Sequence, residues 1–349
     1  MRYENTDQDI FQYEGRILKK NEVCYLGYTN SYLRFYAKGS RILAKLVSNI
    51  TEEVNMAGLS VFLDDDRKPV NRLVIHQEEA WYELCVLPDD GEHMVTVIKV
   101  TEAAMSHVGV CAIEVEDGRV LENTFPAWPD LKLEFIGDSI TCGYGVLGEP
   151  ESAYTLREED GLLSYGYVAA GLLGARARFL SASGYGACVE YTGDAEGNVP
   201  KLYPYVNWFL DKEARFDFRE YEPDVIVINL GTNDSGHMDK PEIQKKFVRE
   251  YADFLRLLKK TYPDVRILCI CGTLCDFMLP WIEKAVHICK AEGFVGLYVR
   301  GLPYHDVEAD GMASFHPSRI THEKDGKRVA GFIREILAEE EEDEKSNNE

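Results

Sequence analysis

Four short segments of this 349-residue chain carry side chains that together could transfer an acyl group. The first is Gly137-Asp138-Ser139-Ile140-Thr141, directly after an apolar run at 131–136. A serine on a glycine-preceded turn at a strand end holds its hydroxyl clear of the sheet, where a base can activate it. The second, Ser181-Ala182-Ser183-Gly184-Tyr185-Gly186, includes a glycine whose N–H can approach a developing oxyanion with no Cβ in the way. In the third, Asn229-Leu230-Gly231-Thr232-Asn233-Asp234, Asn233 offers amide N–H donors to the same oxyanion. The fourth, from Asp310 to His316-Pro317-Ser318, supplies an imidazole able to deprotonate Ser139. Taken singly, each has an ordinary explanation: Gly, Asp, Asn and Ser are turn formers, and a lone His before Pro is usually a surface or satisfied side chain. The order lifts them above that: a serine first, glycine and asparagine donors at the next strand ends, then a histidine near the carboxyl terminus.

Such groups need a scaffold that brings distant loops together. From about residue 14 to 120 the chain reads as short strands (59–63, 73–76, 81–86, 94–100, 108–115) separated by polar turns such as Asp64-Asp65-Asp66 and Asp89-Asp90-Gly91. That density of strands predicts an N-terminal β-sandwich, jelly-roll-like, over residues 1–128. The segment 123–130, with two prolines, is the expected boundary. Beyond it strands (131–136, 177–182, 223–231, 265–271, 295–298) alternate with helices (165–173, 241–262, 281–292, 321–338), which predicts an α/β domain over 129–338 with a parallel sheet flanked by helices. Ile243, Phe247, Tyr251, Phe254 and Leu258 fall on one helical stripe. In an open α/β sheet, ligands bind beyond the carboxyl ends of the strands, where all four segments fall. Residues 339–349, with six consecutive acids, are expected to form a disordered tail.

The 38 Lys and Arg against 60 Asp and Glu give a formal charge of −22. That excludes the basic stripe a nucleic-acid partner requires and argues against an anionic membrane surface. At 45% hydrophobic and 28% charged the chain is globular, not disordered. The opening residues lack the basic and apolar regions of a signal peptide, and nine scattered cysteines suit a reducing compartment, so a cytoplasmic location is expected. Cys269, Cys271 and Cys275 form the densest cysteine group, but their apolar setting without a CxxC pair reads as buried small hydrophobes, and no metal is expected.

Together the four blocks resemble the GDSL/SGNH hydrolase superfamily, whose serine in a GDS turn, glycine, asparagine in GxND and late histidine match Ser139, Gly184, Asn233 and His316. GDSITCGYG and the late His-Pro-Ser, behind a β-rich N-terminal domain, look most similar to carbohydrate esterase family 2. The resemblance implies a serine esterase that removes acetyl groups from xylan- or mannan-derived oligosaccharides, without cofactor or metal. It makes Ser139 the nucleophile, His316 the base, and the Ser139 and Gly184 N–H groups with the Asn233 amide the oxyanion hole. One position departs from the pattern: three residues before His316, where most members place an aspartate, stands Ala313. A Ser–His dyad with a backbone carbonyl holding the imidazole is expected, with Asp310 the candidate third member. Tyr144, Phe315 and Trp281 are candidate substrate contacts, with Tyr185 and Trp208 also aromatic and near the blocks. Two other readings stand beside it: a lipase, thioesterase or acyltransferase that uses the same residues on another acyl group, and a non-catalytic carbohydrate-binding protein whose esterase half has lost activity. A homo-oligomer is compatible with all three.

Overall fold

Along residues 32–38, Leu33, Phe35 and Ala37 are buried while Tyr32, Arg34 and Tyr36 remain partly exposed, the two-residue period of a strand with one face on a core. The computed structural model describes residues 1–4, 10–64, 66–122, 125–152 and 155–347, without the side chains of residues 53 and 340–347. Strands with this alternation build two antiparallel sheets. One runs Ile17–Lys20, Val23–Leu26, Val108–Glu116, Arg41–Ser48, Glu79–Val86, with Arg2–Glu4 added beside Val108–Glu116. The other runs Arg119–Leu121, Tyr32–Lys38, His93–Lys99, Ala57–Leu63, Asn71–Ile75, with Gln12–Glu14 beside Tyr32–Lys38. Phe35, Val61 and Val97 of one sheet share a single buried cluster with Leu46, Leu84 and Val110 of the other, which makes the pair a β-sandwich.

The chain divides into two compact units, and the division does not follow sequence order. The first comprises Met1–Trp128 together with Ala153–Gly161 and Pro204–Phe216; the second is Pro129–Ser152, Leu162–Tyr203 and Asp217–Glu349. Within the first unit the Asn30 amide donates to the Gly161 carbonyl at 3.1 Å, and Arg72 pairs with the buried Asp160. A hairpin of Tyr205–Asn207 and Asp211–Arg215 joins this unit through Arg16, which donates to the Tyr205 carbonyl at 2.9 Å, and through a 2.7 Å ion pair of Lys20 with Asp211. Of the boundary segment 123–130, residues 123 and 124 lie outside the described residues. Phe125 and Trp128 lie against Tyr36 and Tyr32, with the Arg34 guanidinium over both rings.

The second unit holds a five-stranded parallel sheet: β1 (Lys132–Gly137), β2 (Arg176–Ser181), β3 (Val225–Asn229), β4 (Arg266–Cys271) and β5 (Leu297–Gly301), in spatial order β2-β1-β3-β4-β5. All five residues of β3 are buried, as a strand covered on both faces requires. Its principal helices are α1 (Ser139–Cys142), α2 (Tyr165–Leu173), α3 (Pro241–Thr261), α4 (Leu279–Ala291) and α5 (Arg319–Asn347). Helix α2 starts where the Ser164 hydroxyl accepts from the Tyr167 N–H and stops at Gly174 in the left-handed conformation. Phe247, Tyr251, Phe254 and Leu258 form the buried stripe of α3. Helices α2 and α5 pack Tyr165, Ala169, Val329 and Ile333 into one core with Phe135, Val227 and Leu268 of the sheet. The last helix runs past the 321–338 expected for it. The disordered tail expected at 339–349 falls, beyond Glu339, on residues whose side chains lie outside those described.

Candidate active site

Strand β1 lies between β2 and β3, and Gly137 at its end is level with Ser181 and Asn229 at theirs. The chain runs outward in both directions from this strand, so the loops after β1, β2 and β3 open together at the crevice where open α/β sheets bind ligands. Ser139 is the first residue of α1. The Asp138 carboxylate caps that helix by accepting from the Ile140 N–H at 3.0 Å, and Gly143 ends it at φ 78°. Thr141 folds back so tightly that a Cβ on Gly137 would sit 2.0 Å from its hydroxyl oxygen, which is why a glycine precedes the turn. Thr141 in turn shares a 3.0 Å hydrogen bond with the buried Tyr165 hydroxyl. As a first-turn residue Ser139 has no intrahelical acceptor for its N–H.

His316 reaches this serine from a two-residue ladder in which Met312 pairs with Pro317 and Ala313 with His316. Its Nε2 lies 3.0 Å from Ser139 Oγ, and its Nδ1 lies 3.1 Å from the Ser314 carbonyl oxygen. A carbonyl can only accept, so Nδ1 carries the proton and Nε2 presents its lone pair to the serine hydroxyl. Burial holds His316 below the usual histidine pKa, only partly opposed by the bond to Ser314. The Tyr144 ring stands 4.2 Å from the imidazole, centroid to centroid.

The candidate third member, Asp310, is corrected by these contacts. Its carboxylate is engaged by Lys324 one turn into α5, and its carbonyl accepts from the Ser318 hydroxyl at 2.7 Å. The position facing His316 Nδ1 is taken by the Ser314 carbonyl, so the arrangement is a dyad with a backbone acceptor.

In the loop after β2, Gly184 adopts φ 80° and its carbonyl accepts from the Tyr191 N–H at 2.9 Å; a Cβ there would meet the Tyr191 ring at 2.9 Å. Asn233, in the short turn Thr232–Ser235, donates its side-chain amide to the Tyr185 carbonyl at 3.0 Å, with Asp138 Oδ2 at 3.4 Å. Next to it, Asp234 was not singled out from the sequence. Its buried carboxylate accepts from three consecutive N–H groups, Ala187 and Cys188 at 2.8 Å and Val189 at 3.1 Å, and so shapes the loop after Gly184. An acid at a strand end beside a turn was the available signal. Asp138 itself is fully buried, and burial, reinforced by the nearby Asp234 charge, pushes its carboxyl up to about 7 against the opposing Ile140 bond.

The remaining candidates separate. Phe315 is 60% exposed beside the dyad, its N–H given to the Pro150 carbonyl at 3.0 Å. Trp281, on α4, borders a cavity of about 520 Å³ between α3 and α4 with Gln244, Val248 and Ile288, its ring under the Lys284 ammonium at 3.8 Å; neither Ser139 nor His316 lines that cavity. Trp208 belongs to the first unit's hairpin, against Tyr205.

With this geometry in place, comparison with known proteins assigns the family. The description of the GDSL-like lipase/acylhydrolase family matches residues 135–323, from β1 through His316 into α5. The chain belongs to that family. A relative of this GDSL-like acylhydrolase is the cellulase/esterase CelE of Acetivibrio thermocellus, 32% identical over 256 residues that make up 71% of this chain and 30% of CelE. The chain thus aligns with under a third of that relative's length. An acetylxylan esterase / glucomannan deacetylase of Cellvibrio japonicus is 26% identical over 254 residues, 71% of this chain and 67% of that protein. Among solved structures, a family two carbohydrate esterase from Clostridium thermocellum, in complex with cellohexaose, superposes with a TM-score of 0.85 at 26% identity, covering 94% of this chain and 99% of that one. Family two carbohydrate esterases are thus among the structural neighbours of this acylhydrolase.

Proposed function

We propose that this protein is a carbohydrate O-acetyl esterase that works through a serine acyl-enzyme. The observation that carries the reading is His316, with Nε2 3.0 Å from Ser139 Oγ and Nδ1 held by a carbonyl, the tautomer a general base needs. His316 removes the Ser139 proton as the hydroxyl attacks the acetyl carbonyl. The N–H groups of Ser139 and Gly184 and the Asn233 amide face the oxyanion that results. His316 then protonates the departing sugar hydroxyl, and a water deprotonated by the same imidazole releases acetate and regenerates the serine. A dyad lacks the carboxylate that would stabilise the imidazolium, and the Ser314 carbonyl dipole supplies part of that support.

The substrate class rests on the Cellvibrio japonicus relative, whose name is acetylxylan esterase / glucomannan deacetylase. Acetylated oligosaccharides from xylan or mannan are the substrates this reading assigns. Eight of the nine cysteines are buried among apolar residues, the setting of small hydrophobes rather than of a disulfide framework, and this reading places the protein in a reducing compartment.

Mass spectrometry of acetylated xylo- and manno-oligosaccharides, before and after treatment, tests acyl group and polymer together. Loss of acetyl mass with the parent protein and none with Ser139→Ala is the expected result; release at the parent rate by Ser139→Ala would refute the reading. Comparing 4-nitrophenyl acetate with the octanoate settles the acyl group, with acetate expected to be preferred.

A further inference from the structure

The carbonyl that orients His316 belongs to an unfavourable piece of backbone. Between the paired residues Ala313 and His316 stand only Ser314 and Phe315, and both have positive φ, 47° and 60°. That is the pattern of a two-residue type I′ hairpin turn, which normally selects Asn-Gly; serine and phenylalanine rarely enter this region. A turn in such a conformation persists only where its surroundings over-determine it.

The surroundings here are residues 149–152. The Ser314 N–H donates to the Glu149 carbonyl at 2.8 Å, and the Phe315 N–H to the Pro150 carbonyl at 3.0 Å. Ser314 Oγ and Ser152 Oγ are 3.0 Å apart, and Ser152 Oγ donates to the Glu149 carbonyl at 3.0 Å. With the Ser152 proton committed to Glu149, the Ser314 hydroxyl is the donor between the two serines. Ser314 is thereby held from both its N–H and its hydroxyl, with its side chain buried. Gly145 closes the space behind it: a Cβ at that position would lie 2.6 Å from the Ser314 Cβ.

We propose that Ser152 and Ser314 are positioning residues, and that the 149–152 segment latches the 314–315 turn so that its carbonyl performs, for His316, the orienting task of a triad carboxylate. The proposal rests on the reading of His316 as the general base. The hydrogen bonds from the latch to the turn go to Ser314 and Phe315, and it acts on Ser139 only through His316. It fixes the direction of one carbonyl, which fixes the tautomer and the plane of the imidazole 3.0 Å from the nucleophile.

The test uses the full chain with 4-nitrophenyl acetate, measuring kcat and KM separately, the pH dependence of kcat/KM, and thermal unfolding. Ser152→Ala and Ser314→Ala should each lower kcat about 10- to 100-fold, the scale on which small misplacements act, with KM little changed. The acid limb of kcat/KM should move to lower pH, because the Nδ1–carbonyl bond favours the protonated imidazole that would lose it. Ser152→Thr, which keeps the hydroxyl, should restore both rate and profile. Ser314→Gly separates positioning from folding: glycine suits the positive φ and keeps the carbonyl, so that variant should unfold no lower than the parent and still be slow. A parent-like kcat and profile in Ser152→Ala would overturn the proposal. So would a rate loss that tracks the loss of folded protein with an unmoved pH profile. Acetate release by Ser139→Ala would instead overturn the esterase mechanism beneath it, so the two failures are distinct.

Discussion

The side-chain amide of Asn233 donates to the backbone carbonyl of Tyr185 at 3.0 Å, tying the turn after β3 to the loop after β2. The asparagine and the loop that carries Gly184 are therefore held together as one unit, and in the proposed mechanism both serve the oxyanion. Donors fixed in advance cost no reorganisation when the oxyanion forms. Asn233→Ala should accordingly lose about 2.7–4 kcal/mol of transition-state stabilisation. The measurement is kcat/KM for 4-nitrophenyl acetate, and the loss should fall on kcat more than on KM.

Asp234 supports that unit from below. Its carboxylate gathers the N–H groups of Ala187, Cys188 and Val189, so Asp234→Ala strands three buried donors. Unfolding in urea should show a loss on the order of 1–3 kcal/mol, with a fall in kcat although Asp234 touches no substrate. Gly186→Ala should act in the same direction, since its Cβ would lie 2.5 Å from Asp234 Oδ2 and 2.0 Å from the Val189 carbonyl oxygen. Unchanged stability in both variants would remove Asp234 from the account.

The rate should depend on pH through His316. Burial holds its pKa below the usual 6.5, the bond to the Ser314 carbonyl opposes this in part, and the His305 charge lowers it further. Only the neutral imidazole accepts the Ser139 proton, so activity should rise through an acid limb centred below pH 6.5 and be flat at neutrality. A limb centred above 7 in kcat/KM would contradict the buried, carbonyl-bound imidazole.

His322 should set part of the acid sensitivity of the fold. It is fully buried, its Nδ1 accepts from the Tyr165 N–H at 3.2 Å, and burial takes its pKa down to about 3. The unfolded chain protonates this residue below about 6.5 and the folded chain does not, so its contribution is lost as pH falls from there toward 3. Between pH 7.5 and 5.0 that amounts to about 2 kcal/mol. Urea midpoints should fall less steeply with acid in His322→Gln than in the parent. Asp138, raised to about 7, acts with the opposite sign in both proteins and cancels in the comparison.

The catalytic blocks were legible because their signals are local. A serine after glycine at a strand end, a Ser164 cap and the Gly174 stop of α2 are all decided within a few residues. The order of the strands then did the long-range work, since it sets β1 between the strands that carry Gly184 and Asn233. What stayed hidden depends on direction or distance. Asp310 stands six residues before His316, yet its carboxylate faces Lys324, and nothing in the spacing says which way it points. Ser314 gave no sign, because serine and phenylalanine do not advertise positive φ. The hairpin at 205–215 is held by Arg16 and Lys20, about 190 residues earlier, beyond the reach of any local pattern.

That hairpin and the 153–161 segment have a consequence for how the protein can be cut. The chain passes between its two units at 128/129, 152/153, 161/162, 203/204 and 216/217. A tethered module is joined once and can be lost, swapped or duplicated by a single recombination. Five passages leave no such seam: a fragment beginning at Pro129 would carry Asp160 without Arg72, and Asp211 without Lys20. A library of N-terminal truncations should therefore recover no active fragment that starts at Pro129.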